Sequence, residues 1–390
     1  MSHAPTPALE RRAAAVREQM AARGIGALVV TSLPNITYLT NFTGTSAIVV
    51  LEMERLAFIT DSRYVTAVGR LARTPGFELV TVEGTYDGTL AWQLNSLGAV
   101  RIGFEAADLS VSRHQWLSDK VSAGAPPPTL VATEGIVERA RAVKDEYEIA
   151  TLREAGRRLA GVADELLAIR LKPDTTRALG PTRILRAGVT EREVAHAIDS
   201  LIWEAGFSKP AFDTIVASGP NSALPHARPG ERRLSEGDLV VLDFGGVYDS
   251  YCVDLTRTVS IGKASARARE VYDAVREAHD RAVAVVRPGV SRFAVDAAAR
   301  DALAARGLGE AFGHGTGHGL GLEVHEDPRI VRRRPDADSQ DEMLSAGMVF
   351  TIEPGAYLPE WGGVRIENDV LVTPSGVEML TGQTTEIVEI

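Results

Sequence analysis

The sequence predicts an α+β protein: a small N-terminal α/β domain followed by a larger α+β domain. Three observations carry this. Up to about residue 134, short apolar strands alternate with helical segments across short turns. A proline-rich loop over 122–129, containing AGAPPPT, then interrupts the pattern. Beyond it, helices come in groups, and the strands between them are rich in Val, Ile and Thr and bounded by Gly and Pro. The expected domains are 1–134 and 135–390.

Residues 7–23 have amphipathic helical spacing and stop at Gly24, and 27–31 follow as a strand. Strands are expected at 47–51, 55–60, 78–82 and 100–103, with helical segments at 62–72 and 90–97 and a strand or turn at 130–132. The charged run 136–161 reads as one long helix leading into the second domain, where helices are expected over 146–169 and 191–205. Strands come next, then helices over 264–286 and 291–306, then strands again over 347–389.

The 390 residues are long enough for two domains with a sizeable core. A net charge of −10 argues against nucleic acid, because phosphate binding requires clustered Lys and Arg. The one cysteine, Cys252, rules out a disulfide within the chain and makes a reducing cytoplasm the expectation. The opening residues lack the apolar run of a secretory signal, and no apolar run is long enough to cross a bilayer. The polar segment 332–342 reads as a solvated surface loop.

The stretch LVVLDFGGVYDSYCVDLT places two acids, Asp243 and Asp254, inside apolar strands. Burying an unpaired carboxylate is costly. Read as a hairpin turning between Tyr248 and Asp249, the stretch sets the two acids directly opposite each other on one face. They would share a proton or hold cations between them. The remaining sequence favours cations. HGTGHGLGLEVH supplies His314, His318 and His325, and VFTIEPG and VRIEND supply Glu353 and Glu367, another acidic pair joined by a turn near 359–362. Four carboxylates balance two dications. A set of oxygens with one imidazole, from Asp243, Asp254, His318, Glu353 and Glu367, suits Mn²⁺, Co²⁺, Fe²⁺ or Zn²⁺. Two such ions would activate a water and clamp a carbonyl oxygen, as in a hydrolase. Other readings fit less well. The glycine-rich run lacks the GxGxxG of a dinucleotide loop, Asp243-Phe244-Gly245 has no other kinase motif beside it, and Cys252 reads as packing.

These residues resemble the metallopeptidases of the pita-bread fold, the family of methionine aminopeptidase, aminopeptidase P and prolidase. The likeness covers about 212–390, through FDTIVASGPNSALPHARPG, VLDFGGVYDSYCVDLTRTV, GHGTGHGLGLEVHEDP, FTIEPGAY and GVRIEND. LPNITYLTNFTG and FITDSRY resemble the accessory, creatinase-like N-terminal domain of the aminopeptidase P and prolidase branch. The resemblance implies hydrolysis of Xaa-Pro bonds at peptide N-termini, two divalent ions with Mn²⁺ foremost, and a homodimer. It implies that Asp243, Asp254, His318, Glu353 and Glu367 bind the metals, and that His226 and His325 stabilise the tetrahedral intermediate. Glu353 would also carry a proton to the leaving nitrogen. His314 would line the proline pocket or hold the substrate backbone, Arg365 would support the substrate or stand behind the metal ligands, and Arg329 would bind the free carboxylate of a dipeptide. Arg329 leans toward a dipeptidase and the FTG motif toward an aminopeptidase. The loops 170–187 and 332–345 look longer than in the family, and Asn368 stands where an acid is often found. The alternative is a metal-free relative of the fold that binds peptides or degrades creatine.

Overall fold

The computed structural model describes residues 4–71, 74–97, 101–121, 127–167, 184–333 and 342–390. Two compact units divide the chain, 1–141 and 142–390. The elements of the first are α1 (Thr6–Ala22), β1 (Ala27–Val30), α2 (Leu33–Thr40), β2 (Ile48–Glu52), β3 (Leu56–Thr60), α3 (Val65–Val68), β4 (Phe77–Thr81), α4 (Tyr86–Asn95), β5 (Arg101–Glu105), α5 (Val111–Val121), β6 (Thr129–Thr133) and α6 (Ile136–Ala142). Its six strands form one mixed sheet in the order β4-β3-β2-β1-β5-β6. Leu90, Leu94, Leu117 and Val121 of α4 and α5 pack on Val29, Val50, Ile59, Ile102 and Phe104 of the sheet. Gly24 ends α1 with a φ of 63°, a conformation glycine adopts without a Cβ clash.

Several expectations for this unit change. The helix over 62–72 is a single turn, α3. Helices α2 and α5 were not anticipated. The expected helix over 136–161 is two helices, because Val143, Lys144 and Asp145 step out of helical pairing between α6 and α7 (Glu146–Leu167). A capping box is the physical cause: the Glu148 N–H donates to Asp145 Oδ1 (2.9 Å), and the Asp145 N–H donates to Glu148 Oε2 (3.0 Å). The compact units divide at 141/142, because α6 is tied to the first: Asn35 Nδ2 donates to Glu138 Oε1 (2.7 Å), and Arg141 Nη1 donates to Asn35 Oδ1 (2.6 Å).

The second unit contains α7, α8 (Glu191–Glu204), β7 (Lys209–Pro210), β8 (Ile215–Ser218), β9 (Leu239–Tyr248), β10 (Tyr251–Ser260), α9 (Ala266–Val285), α10 (Arg292–Ala305), β11 (Gly317–Gly319), β12 (Glu326–Ile330), β13 (Val349–Ile352), β14 (Gly355–Leu358), β15 (Gly362–Arg365), β16 (Asn368–Thr373), β17 (Gly376–Met379) and β18 (Val388–Glu389). One sheet runs β18-β10-β9-β7, with β8 also on β9. A second runs β12-β11-β13-β16-β17, and β14 and β15 form a ribbon. Of the loops expected to be long, 170–183 and 334–341 lie outside the described residues.

Strand alternation directs the chemistry. Val240, Leu242, Phe244, Val253 and Leu255 pack on α7 and α8, so the intervening Asp243, Asp254 and Thr256 face the other way. In the second sheet Phe350, Ile352, Val370 and Val372 pack with α9 and α10.

The hairpin corrects one expectation. Asp249 and Ser250 form the two-residue turn, both at positive φ (48° and 75°) as a primed hairpin turn requires. Tyr248 therefore faces Tyr251, Asp243 faces Thr256, and Asp254 faces Gly245. The two acids share a face but are diagonal, not opposite. Diagonal neighbours lie roughly 7–8 Å apart, against about 5 Å for direct ones, so the repulsion is smaller and Thr256 fills the place opposite Asp243.

Candidate active site

All ten residues singled out in the sequence line one cavity of about 460 Å³: Asp243, Asp254, His318, Glu353, Glu367, His226, His325, His314, Arg329 and Arg365. Ligand-type atoms of the buried Asp254, His318 and Glu367 lie within 4.8 Å of one another. His318 Nε2 is 3.5 Å from Glu353 Oε1. The second acidic pair lies between two stretches of antiparallel pairing. Gly355 faces Arg365 and Ile352 faces Asn368, and Glu353-Pro354 and Ile366-Glu367 are the residues between these two pairings.

His318 is delivered by β11, which lies between β12 and β13. A Cβ on Gly317 would come to 1.8 Å from the Thr351 carbonyl oxygen, and one on Gly319 to 2.2 Å from that of Asp327. Only glycine fits on either side of His318, which explains the glycine-rich run. His318 Nδ1 lies 3.1 Å from the Gly319 carbonyl. A carbonyl only accepts, so Nδ1 carries the proton and Nε2 presents its lone pair. Burial, then nearby His325, lowers the His318 pKa to about 3, so the imidazole is neutral throughout the physiological range.

The carboxylates behave as a crowded, desolvated group. Burial, followed by repulsion from Glu367 and Asp243, drives Asp254 well above the ordinary carboxylate range. Burial and then Glu353 do the same to Glu367, and burial raises Glu353 to about 8. Asp254 Oδ1 is buried without a hydrogen-bond partner among the described residues. An orphaned carboxylate oxygen, three further carboxylates and one neutral imidazole are a donor set that fits divalent ions.

Behind the carboxylates stands a network in which the sequence anticipates a part for Arg365 but not those of Thr256 and Tyr357. Thr256 Oγ1 donates to Glu367 Oε2 and accepts from Arg365 Nε (3.2 Å). Arg365 Nη2 donates to Asp243 Oδ2, and Nη1 reaches Tyr357 Oη (2.8 Å) and the Pro225 carbonyl (3.4 Å). Tyr357 Oη lies 2.9 Å from His314 Nε2, and His314 Nδ1 lies 2.8 Å from the Gly315 carbonyl. The tautomers follow in sequence. Nδ1 must donate to Gly315, so Nε2 accepts the Tyr357 hydroxyl proton. Both His314 nitrogens are thus engaged, and burial lowers its pKa to about 4. The Arg365 guanidinium is likewise turned toward Asp243, Tyr357 and Thr256. The Asp254 N–H donates to Asp369 Oδ2 (2.9 Å), fixing the strand beneath the cluster. Asn368, the first residue of β16, accepts from Arg257 Nη2 (3.2 Å) beside Glu367. No local sequence signal foretells these contacts, many of which join residues more than a hundred positions apart.

The other polar groups stand at the cavity mouth. His226 is exposed and makes no hydrogen bond among the described residues, and His325 is exposed with its ring centroid 4.3 Å from that of His318. Burial, then Arg329, lowers the His325 pKa. Arg329, opposite His318 on β12, is exposed, and among the described residues its side chain reaches only the His325 carbonyl (3.5 Å). Phe212, Ile215, Val324 and Val331 supply apolar wall.

The description of metallopeptidase family M24 matches residues 150–374, and that of the creatinase/prolidase N-terminal domain matches 12–143. The chain is 37% identical to the uncharacterized peptidase YqhT of Bacillus subtilis over 94% of this chain and 96% of that one. It is 39% identical to an Xaa-Pro dipeptidase of Pyrococcus horikoshii over 65% of this chain and 67% of that one. Among solved structures, an Xaa-Pro dipeptidase from Bacillus anthracis superposes with a TM-score of 0.88 at 35% identity, covering 98% of this chain and all of that one. An X-Pro aminopeptidase from Thermotoga maritima gives 0.82 at 33% identity, covering 96% of this chain and all of that one. With two domain types matched in order and a buried carboxylate–imidazole cluster in the second, the chain belongs to metallopeptidase family M24 and is an enzyme with a creatinase-like N-terminal domain and a pita-bread catalytic domain.

Proposed function

We propose that the protein is an Xaa-Pro exopeptidase that acts on dipeptides and works with two divalent ions. Asp243, Asp254, His318, Glu353 and Glu367 would hold the ions, and Mn²⁺ suits four carboxylates with a single imidazole and no thiolate. Bound there, the ions supply Lewis-acid polarisation of the scissile carbonyl and a water ionised near neutral pH. The chain's own groups do the rest. His226 and His325 donate to the oxygen on which charge develops. The Glu353 carboxyl carries a proton to the leaving proline nitrogen. Arg329 binds the free carboxylate of the dipeptide with charge-assisted hydrogen bonds. Arg365 holds Asp243 in place, and His314, its nitrogens engaged, forms pocket wall. We also propose a homodimer in a reducing cytoplasm, the latter supported by Cys252, buried and free.

One observation carries the reading: buried Asp254, His318 and Glu367 converge within 4.8 Å at the floor of a cavity whose rim bears His226, His325 and Arg329. Likeness to the Xaa-Pro dipeptidases supports the substrate class. Likeness to the X-Pro aminopeptidase supports a second reading, in which longer peptides are preferred. The test loads chelator-treated protein with Mn²⁺ or Co²⁺, measures bound metal, and compares an Xaa-Pro dipeptide with an Xaa-Pro-Xaa tripeptide. Faster dipeptide hydrolysis is expected. Faster tripeptide hydrolysis selects the second reading, and metal-loaded protein that cleaves neither peptide refutes both. Light scattering tests the dimer.

A further inference from the structure

His226 raises a problem of placement. Its ring is exposed and unsupported by any hydrogen bond among the described residues, so its position is inherited from the loop that carries it. That loop, 219–230, supplies Pro225, His226, Ala227, Arg228 and Pro229 to the cavity wall. Both of its ends converge on one group, the carboxylate of Glu191.

Glu191 is the first residue of α8 and is only 1% exposed. It takes no part in capping its own helix. That task belongs to Thr190 and Glu193, which form a reciprocal capping box. The Glu191 side chain instead reaches the loop. Its Oε1 accepts from the Ser218 N–H (2.8 Å), Ser218 Oγ (2.7 Å) and Asn221 Nδ2 (3.0 Å). Its Oε2 accepts from the Gly230 N–H (3.1 Å) and, more distantly, Asn221 Nδ2 (3.3 Å). A buried carboxylate is costly unless donors surround it, and every donor here lies at the stem or first turn of the His226 loop. Two further contacts hold the same loop against β15: Ser222 Oγ accepts from the Gly363 N–H (2.8 Å), and the Pro225 carbonyl accepts from Arg365 Nη1 (3.4 Å).

We propose that Glu191 is a positioning residue for catalysis: its carboxylate clasps both ends of the 219–230 loop and so sets where His226 meets the substrate. The inference rests on the role given to His226 above. Glu191 lines neither the cavity nor the metal cluster, so it acts through the loop, in which His226 is the residue given a catalytic role.

A double-mutant cycle in the metal-loaded enzyme tests this, with E191Q, H226A and the pair assayed on an Xaa-Pro dipeptide. Glutamine keeps the size of the side chain but turns an NH₂ toward N–H donors and so removes the side-chain hold on at least one end of the loop. The expected result is a fall in kcat of up to about 10²-fold, since a misplacement near 1 Å costs that much, with a smaller change in KM and unchanged metal content. The pair should be no slower than H226A, because an unplaced histidine and a missing one are equivalent. Losses that multiply in the pair, or E191Q within twofold of the parent, overturn the clasp while leaving His226 its role. Full activity of H226A overturns the reading of the site instead. If E191Q yields no folded protein, N221A, which deletes one donor, carries the same cycle with the same criteria.

Discussion

Replacing Asp254 by asparagine should stabilise the metal-free protein while abolishing its response to metal. The magnitude follows from the cluster. Ligand-type oxygens of Asp254 and Glu367 lie within 4.8 Å. At an effective dielectric of about 20, two full charges that far apart repel by about 3 kcal/mol. Asparagine keeps the shape, removes the charge and can donate to the neighbouring carboxylates. The effect must depend on pH, and its sign is fixed. Asp254, Glu353 and Glu367 all have pKa values above those of unfolded carboxyls, with Glu353 at about 8. The folded metal-free state therefore binds more protons than the unfolded one. Stability contributed by these groups is present at low pH and is lost as pH rises from about 4 through the raised values. Chelator-treated parent protein should accordingly be less stable at pH 9 than at pH 6. D254N should recover up to about 3 kcal/mol at pH 9, a Tm gain of roughly 6–12 °C for a unit of this size, and very little at pH 6. With Mn²⁺ the order reverses, because the parent gains stability by binding and the variant does not. Calorimetric melting at both pH values, with chelator and with Mn²⁺, reads all four states. A variant that melts below the parent at pH 9 in chelator, or that regains the full Mn²⁺-dependent rise, refutes the reasoning.

The same raised carboxyls must release protons when metal binds at pH 7. The apparent enthalpy of Mn²⁺ binding should therefore vary linearly with the ionisation enthalpy of the buffer, and a flat line would contradict it. Thr256→Val removes the hydroxyl that orients Glu367 and accepts from Arg365. Such supporting contacts are worth about 10- to 100-fold in metal affinity, so activity should fall at limiting Mn²⁺ and return at excess; parent-like affinity would count against the role. Arg329→Met should raise KM for an Xaa-Pro dipeptide by about tenfold or more and leave a C-terminally amidated analogue nearly unchanged, as expected when a charge-assisted contact to the carboxylate is lost. Equal effects on both substrates would remove Arg329 from carboxylate recognition.

What the sequence disclosed, and what it did not, follows the range of the interactions. The ligand candidates were legible because an acid inside an apolar strand is costly and therefore conspicuous, as with Asp243 in LVVLDFGG and Glu367 in VRIEND. Helix α2 was not. Its buried residues include Asn35 and Thr40, whose polar groups are satisfied within the unit, and eight residues give little periodicity to read. The break before α7 had a signal, Asp145 and Glu148 in capping-box spacing, that the charged run around it obscured. Tyr357, Thr256 and Glu191 had none. A tyrosine in a ribbon, a threonine in a strand and a glutamate opening a helix are ordinary, and their roles arise only when distant strands close over them.

The hairpin shows why a wrong pairing can still place both acids on one face. Moving the turn to Asp249 and Ser250 slides the strands so that Asp243 meets Thr256, two residues from the partner expected. Side chains repeat every two residues along a strand, so a slide of two preserves the face on which each points. A slide of one would have turned Asp254 into the apolar core against α7 and α8. The acids thus stay on the site face while their spacing changes from direct to diagonal. The diagonal arrangement is the better solution physically. It relaxes the repulsion between the acids and leaves between them a residue, Thr256, whose hydroxyl joins Glu367 to Arg365. Direct opposition would have spent that position on charge and left Glu367 without its support.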